Sequence, residues 1–136
     1  MQTLLFFLLV AQGVTDDAIL IGMEGPARSF SVDEENLGIR LMIENVNARG
    51  GIHGRRMVEK SYPRPQENFI EQATVNVSRL VEEDGVFLLF NFGGPGSVSI
   101  AAYAMENDVP YLFPHTALLT VDGDRHVYSI LPPLRR

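Results

Sequence analysis

Residues 36–56 read NLGIRLMIENVNARGGIHGRR and contain the signals of a helix, a glycine stop and a following strand. Apolar residues in this stretch recur three and four positions apart, which is the spacing of one side of an amphipathic helix. This stripe, which we expect to pack against a sheet, comprises Ile39, Met42, Ile43 and Val46. Gly50 and Gly51 then supply the left-handed backbone that ends many helices. The stretch therefore predicts a helix lying on a sheet, followed by a tight turn.

The start of this helix is predicted at Ser31. Ser31 and Glu34 have the spacing of a capping box, in which the serine hydroxyl accepts a hydrogen bond from the third helical N–H. The glutamate side chain reaches back to the serine amide in the same motif, so that two N–H groups gain partners. The predicted helix spans residues 31–49.

Apolar segments and helical patterns alternate along the rest of the chain, which is typical of a parallel sheet with helices on both faces. Crossovers between parallel strands are right-handed, so we predict an α/β fold, a doubly wound parallel sheet with strand order 2-1-3-4-5. The apolar segment VFLLF should be the central strand because it has no polar face, and the weakly alternating segment at 56–62 should be an edge strand. The predicted strands are 18–23, 56–62, 86–90, 111–113 and 126–130.

Two further helices are predicted between these strands. The first begins near Pro65 and ends at Gly85, and the second follows a glycine-rich loop and ends near Asn107. The apolar stripe of the first comprises Phe69, Ile70, Ala73, Val77, Leu80 and Val81. The stripe of the second comprises Ile100, Ala101, Ala104 and Met105.

The composition excludes several classes of function. A chain of 136 residues with 46% hydrophobic and 21% charged residues is typical of one soluble globular unit. A net charge of −6 argues against nucleic acid as a partner, because phosphate binding requires a basic patch. Cysteine is absent, which excludes disulfides and thiolate metal sites. His53, His115 and His126 are scattered without carboxylates at ligand spacing, so we expect no metal site.

The N-terminus resembles a secretory signal peptide. Residues 4–10 form a continuous apolar run, which is too short to span a bilayer, and the small residues Ala11 and Gly13 follow it. The segment before the run contains no lysine or arginine, which departs from the usual pattern. We predict a signal peptide at residues 1–15 and a mature chain at 16–136. The alternatives are a buried first strand and a misassigned start codon.

Ligands of doubly wound sheets bind outside the carboxyl ends of the strands, where the strand order reverses between strands 1 and 3. This rule selects the loops at residues 24–30, 91–97 and 114–118. The second of these loops contains three glycines and opens a helix, whose first N–H groups could bind a carboxylate. The alternative interpretation is a tight turn in which Pro95 starts the helix.

Catalytic interpretations find little support. Ser97, His115 and Asp122 contain the side chains of a nucleophile, a base and an orienting group, but no serine lies in a G-x-S-x-G elbow. The glycine loop lacks the lysine of a phosphate-binding loop, and it follows strand 3 rather than strand 1. We therefore predict that the protein is not an enzyme and binds no cofactor.

The motif N-x-G-I-x-L-x-I-x-x-V-N-A-x-G-G-I-x-G-R at residues 36–55 closely resembles the first helix and turn of one family, the Leu/Ile/Val-binding-protein-like substrate-binding proteins of ABC transporters. These proteins have the type I periplasmic-binding fold, and the resemblance continues more loosely to Pro133. It implies that the chain holds most of an N-terminal lobe and is truncated before the second. In the family, the loops after strands 3 and 4 bind the backbone groups of an amino acid.

Carried onto this sequence, the resemblance implies ligand contacts at the matching positions. In the loops after strands 3 and 4, the expected contact residues are Gly93, Gly94, Ser97, His115, Thr116 and Ala117. Ser29 and Phe30, in the first loop, are expected to close over the ligand, or else to form a turn leading into the helix. Gly93, Gly94 and His115 depart from the residues common in the family, which leaves the identity of the ligand open. For His115 and Thr116, capping of a neighbouring carbonyl is an equal alternative to ligand contact.

The function implied by the resemblance is capture of a branched-chain amino acid or a related small molecule outside the cytoplasm, for an ABC permease in the membrane. The missing second lobe is expected to supply any acidic residue that binds an amino group. An alternative is the extracellular sensor module of a signalling receptor, which uses the same fold. A third possibility is a stand-alone α/β enzyme of flavodoxin-like topology.

Overall fold

A computed structural model describes residues 11–25, 30–62, 67–91, 96–112 and 126–128, without the side chains of residues 30–36 and 69. Its five strands form one sheet in the order β2-β1-β3-β4-β5, and every pair of neighbouring strands is parallel. The predicted fold class and strand order are confirmed. The strands are β1 (Ala18–Glu24), β2 (Arg56–Tyr62), β3 (Leu88–Phe90), β4 (Tyr111–Leu112) and β5 (Val127–Tyr128). The helices are α1 (Phe30–Ala48), α2 (Phe69–Ser78) and α3 (Ser97–Glu106), and a π-helical turn (Arg79–Glu83) continues α2.

Helix α1 packs on the sheet through a narrower stripe than its sequence predicts. It begins at Phe30, one residue before the predicted cap, and the capping side chains of Ser31 and Glu34 lie outside the described residues. Ile39 and Ile43 are buried, but Met42 is 47% exposed, so its predicted inward position is wrong. Met42 lies about 100° around the helix from Ile43, beyond the line of contact with the strands. The spacing rule places residues on one side of a helix without fixing how wide the contact is.

The turn after α1 confirms the predicted glycine stop. Gly50 and Gly51 have φ values of 97° and 75°, and Ile52 and Arg55 exchange backbone hydrogen bonds of 2.8 and 3.0 Å. A Cβ atom on Gly51 would lie 2.0 Å from the Arg55 carbonyl oxygen, so only glycine fits. The turn therefore delivers the chain directly into β2.

Asn47 ties the end of α1 to β2. Its side-chain amide donates to the Met57 carbonyl at 2.9 Å, and its side-chain oxygen accepts from the Met57 N–H at 2.8 Å. The two bonds satisfy both backbone groups of one strand residue, so the helix and the strand are held in register.

The second helical stretch changes from α-helical to π-helical hydrogen bonding after Ser78. The predicted helix ending at Gly85 consists of α2 followed by the π-helical turn, whose last amide bond runs from the Asp84 N–H to the Arg79 carbonyl. Gly85 has a φ of 63° and ends the stretch as predicted. Of the predicted stripe, Ile70 is 48% exposed and was wrongly placed inside. It lies at the first turn of α2, before the helix reaches the buried cluster around Ala73 and Val77.

The apolar core has one cluster on each face of the sheet. Successive residues of β1 and β3 alternate between the two clusters, as the pleat of a strand requires. The larger cluster lies under α2, the π-helical turn and α3, and the smaller one lies under α1. The buried members of the smaller cluster are Ile21, Met23, Ile39 and Ile43.

Residues 11–15 pack against the sheet ahead of β1. The Gln12 side-chain amide donates to the Val81 carbonyl at 2.8 Å, and the Gly13 carbonyl accepts from the Leu20 N–H at 2.8 Å. Gly13 has a φ of 72°, and a Cβ atom there would lie 2.1 Å from the Phe87 nitrogen. This close approach requires glycine. None of the described helices is both long and apolar enough to cross a membrane.

Candidate functional site at the carboxyl edge of the sheet

The carboxyl ends of β1 and β3 lie side by side at the centre of the sheet. Met23 pairs with Phe90 in the parallel register, so the next residues, Glu24 and Asn91, are neighbours. The chain leaves this point along two routes, toward α1 after β1 and toward α3 after β3. Because β2 lies on one side of β1 and β4 lies beyond β3, the strand order reverses here. This is the position at which doubly wound sheets bind their ligands.

Glu24 and Asn91 form a buried polar pair at this edge. The Asn91 side-chain amide donates to Glu24 Oε2 at 2.6 Å, and each residue is only 2% exposed. A carboxylate is costly to bury, and a charge-assisted hydrogen bond from an amide offsets part of that cost. The pair therefore fixes an acidic group beneath the surface at the switch point.

Ser97 is the first residue of α3 and is 1% exposed. Within the part of the chain that the structure describes, its hydroxyl has no hydrogen-bond partner, although a buried hydroxyl normally has one. The first N–H groups of a helix also lack partners within the helix. Ser97 thus adds a buried hydroxyl to the N-terminal end of α3, where the loop after β3 arrives.

The predicted site residues fall into two groups. Ser97 lies at the carboxyl edge as predicted, and the backbone of Phe30 forms the first residue of α1, which begins at the same edge. The side chain of Phe30 lies outside the described residues, as do six other predicted contacts, namely Ser29, Gly93, Gly94, His115, Thr116 and Ala117. Their ligand contacts remain predictions.

Two residues of this edge were not singled out from the sequence. In the sequence, Glu24 and Asn91 are the first residues of two predicted loops. The available signal was a polar residue placed immediately after an apolar strand, in AILIGME and in VFLLFN. Their partnership joins positions 67 apart in the chain, which no local pattern indicates.

The Ser97 hydroxyl is suited to a hydrogen bond with a small molecule, because the described residues supply it with no partner. Glu24 and Asn91 bond to each other at the same edge. Among the described residues, no group of three histidine, aspartate or glutamate side chains is arranged to hold a metal ion.

A separate groove of about 410 Å³ lies on α1, lined by Leu41, Met42, Asn45, Val46 and Arg49. Helix α1 runs from the carboxyl edge back toward the amino edge, so its C-terminal half carries this groove away from the switch point. We assign no ligand to the groove.

Comparison with known proteins identifies the family. The sequence profile described as "Periplasmic binding protein" matches residues 18–131. No curated protein sequence is significantly similar to the chain.

Solved structures share its fold. The branched-chain amino acid transporter substrate-binding protein LivJ from Streptococcus pneumoniae, in complex with isoleucine, has a TM-score of 0.60 at 23% identity over 71% of this chain. An ABC transporter substrate-binding protein from Desulfitobacterium hafniense, in complex with Leu, has a TM-score of 0.71 at 21% identity over 86% of this chain. A fatty acid ABC transporter substrate-binding protein from Thermomonospora curvata has a TM-score of 0.67 at 22% identity over 86% of this chain.

The chain spans 28%, 35% and 30% of the lengths of these three proteins, respectively. At such identities the likeness establishes the shared fold, and the sheet order agrees with it. The family match covers most of the sequence and includes β1 through β5. The chain therefore belongs to the periplasmic binding protein family and has the type I fold of ABC transporter substrate-binding proteins.

Proposed function

We propose that the protein is the substrate-binding component of an ABC importer, and that it captures a branched-chain amino acid or a related small molecule outside the cytoplasm. It binds without chemistry and passes the ligand to a membrane permease. Capture proceeds by closure of two lobes about a hinge, and the closed form is the one that the permease receives. The sheet described here is most of the N-terminal lobe.

One observation carries this proposal. Three buried polar residues, Glu24, Asn91 and Ser97, lie at the reversal of strand order, and the Ser97 hydroxyl has no partner among the described residues. A buried hydroxyl without a partner costs about 1–3 kcal/mol, and a ligand that supplies one recovers that free energy on binding. The edge is thus suited to a small polar ligand. The family match and the ligands of the solved relatives support the same interpretation.

The proposed ligand contacts are those implied by the resemblance. They are Ser29, Phe30, Gly93, Gly94, Ser97, His115, Thr116 and Ala117. Backbone N–H groups and hydroxyls predominate in this set, which suits the polar end of an amino acid more than its side chain. The second lobe is proposed to complete the enclosure.

An extracytoplasmic location is part of the proposal, with residues 1–15 as the export signal. Gln12 and Gly13 contact the folded lobe, so the position of cleavage decides whether the mature protein retains those contacts. Mass determination of the exported protein measures this position directly. A product that keeps all of residues 1–15 contradicts the proposed signal.

The test is a thermal-shift and calorimetric titration of the full-length protein with leucine, isoleucine, valine, their amides and a fatty acid. A ligand that binds only the folded state stabilises it by about 2.7 kcal/mol at a hundred times Kd. We expect one chemical class to raise the melting temperature selectively. No shift with any of these ligands contradicts the proposed ligand class.

Two matched pairs of variants locate the site. Ser97→Ala should weaken binding about 3- to 10-fold, the size of one lost hydrogen bond, without lowering the stability of the unliganded protein. Thr116→Val should weaken binding similarly. The controls are Ser78→Ala and Thr74→Val on α2, whose hydroxyls bond to backbone carbonyls of their own helix. Equal effects in variants and controls contradict the assignment of the site.

A further inference from the structure

The backbone pairing of β1 differs between its two neighbours at the carboxyl edge of the sheet. β1 pairs with β2 along its whole length, as far as Glu24 opposite Tyr62. Its pairing with β3 ends one residue earlier, with Met23 opposite Phe90. The side-chain hydrogen bond from Asn91 to Glu24 Oε2 lies directly beyond that last pair. It therefore extends the connection between β1 and β3 past the end of their backbone pairing.

Burial strengthens this link between the two strands. Both residues are 2% exposed, so water has little access to replace the bond between them. The distance of 2.6 Å between Asn91 Nδ2 and Glu24 Oε2 is short for a bond from an amide nitrogen. An amide donates in the same way to an ionised and to a protonated carboxyl group, since both have an accepting oxygen. The link thus depends on the shape and the hydrogen-bonding groups of the pair, and it requires no charge on Glu24.

Each member of the pair precedes one connection at the proposed binding site. The chain leaves Glu24 toward α1, which begins at Phe30, and it leaves Asn91 toward α3, which begins at Ser97. A binding site holds its contact groups in place to within about 0.5 Å, through packing and through hydrogen bonds behind those groups. A bond between Glu24 and Asn91 limits how far the starts of the two connections can move apart.

Ser97 relates the pair to a group that a ligand can reach. Its hydroxyl is 1% exposed and has no partner among the described residues, so no described hydrogen bond orients it. The position of this hydroxyl is therefore set by packing and by the backbone at the start of α3. Because the chain enters α3 from Asn91, a shift at the end of β3 also moves the Ser97 hydroxyl relative to β1.

We infer that Glu24 and Asn91 are positioning residues for ligand capture. Their bond holds the end of β1 against the end of β3, and it thereby fixes the distance from the first loop to the Ser97 hydroxyl. Neither residue needs to touch the ligand in this role. The inference rests on the proposed function and adds to it two residues outside the set of proposed ligand contacts.

The experiment exchanges the two side-chain groups without changing their size. Asn91→Asp replaces the donating amide by a second carboxyl group, and addition of Glu24→Gln restores the bond with donor and acceptor exchanged. Calorimetry measures the leucine affinity of the full-length protein at a temperature at which every variant is folded. We expect Asn91→Asp to weaken binding about tenfold, the lower end of the cost of losing an orienting hydrogen bond at metal sites. The double variant should bind within about threefold of wild type.

Asn47→Asp is the matched control, because it makes the same change from amide to carboxyl at the opposite, amino edge of the sheet. It removes the donor of the bond to the Met57 carbonyl. We expect it to lower the melting temperature while leaving the leucine affinity within about twofold of wild type. The control separates a positioning role from a general loss of stability.

Three results overturn the inference and leave the proposed function intact. They are an unchanged leucine affinity in folded Asn91→Asp, an equal loss of affinity in Asn47→Asp, and a double variant that binds as weakly as Asn91→Asp alone. If Asn91→Asp does not fold, Glu24→Leu takes its place, because it removes the acceptor of the same bond, and the same loss of affinity is expected. Failure of the wild-type protein to bind leucine, isoleucine or valine contradicts the proposed ligand class and overturns the inference with it.

Discussion

The two faces of the sheet are stabilised differently in the described part of the chain. Under α2, the π-helical turn and α3, eleven buried residues form one cluster, whereas four form the cluster under α1. Helix α1 instead has strong polar ties to β2, through Asn47 and through the ion pair of Arg40 and Glu59 at 2.8 Å. The outer side of α1 exposes Leu37, Leu41 and Met42. One face therefore depends on apolar burial, and the other depends in larger part on a few directed contacts.

The largest loss of stability is expected when apolar burial is reduced on the α2 face. Leu80 is fully buried, and truncation to alanine there should lower the free energy of unfolding by about 2–5 kcal/mol. Leu41 is 55% exposed on α1, so Leu41→Ala should change the free energy of unfolding by no more than about 0.5 kcal/mol. Denaturant unfolding of the two variants measures the difference. Similar losses would show that the outer side of α1 is buried in solution.

The next effect tests the polar tie on the α1 face. Asn47→Ala removes both bonds to Met57 and leaves a half-buried N–H and carbonyl without these partners, so we expect a loss of about 1–3 kcal/mol. The control is Asn45→Ala, an exposed position two residues earlier in the same helix. Chemical denaturation gives both values. A loss no larger than in the control contradicts the role of Asn47.

A smaller loss of stability is expected when one methylene group is deleted from either of the two apolar clusters. Ile100 is 0% exposed and lies in the larger cluster, whereas Ile39 is 9% exposed and lies in the smaller one. Ile→Val in a core costs about 0.5–1.5 kcal/mol, and we expect Ile100→Val at the upper end and Ile39→Val at the lower end. Thermal unfolding of both variants side by side resolves the order. The reverse order would mean that α1 packs more tightly than its burial indicates.

The smallest effect is a pH dependence confined to the α2 and α3 face. Burial, together with the 2.6 Å hydrogen bond to Glu82, raises the pKa of Tyr103 from 10.0 to about 12. Between pH 10 and 12 the unfolded state has therefore lost this proton while the folded state retains it. Stability contributed by Tyr103 is complete below pH 10 and is lost as the pH rises toward 12.

Comparison of variants isolates the contribution of Tyr103 to the pH dependence of stability. Unfolding measured from pH 9 to pH 11.5 should show a weaker decline in Tyr103→Phe than in the wild-type protein. Tyr128→Phe, at the exposed position of β5, is the control for loss of one tyrosine. Identical slopes in wild type and Tyr103→Phe contradict the prediction.

The sequence was sufficient for the strand order because each strand and helix has its own local pattern. Alternation of apolar strands with amphipathic helices, joined by right-handed crossovers, leaves few arrangements of the sheet. The width of each buried stripe was not predictable, since Met42 and Ile70 match the helical spacing but lie beyond the edge of the contact. The π-helical turn also escaped prediction, because one extra residue in a turn barely changes an apolar pattern.

The site was less accessible to prediction than the fold. Ser97 was predicted as a ligand contact through resemblance to a family, with the helix start after β3 as support. Glu24 and Asn91 were missed because they meet only when β1 and β3 pair, and pairing of strands from distant segments depends on the whole sheet. A useful rule follows for such sequences. The first polar residue after each central strand is a candidate site residue, even when it reads as the beginning of a loop.

The position of β2 at the rim of the sheet has a consequence for self-association. Its outer row of backbone amides and carbonyls faces away from β1, and apart from the Met57 groups bonded to Asn47 such a row can add a strand from another molecule. Arg56, Glu59 and Lys60 place three charges along this seven-residue strand, which makes pairing with a second copy unfavourable at low salt. Neutral replacement of Arg56, the exposed member of the three, should promote aggregation while leaving the Arg40–Glu59 ion pair intact.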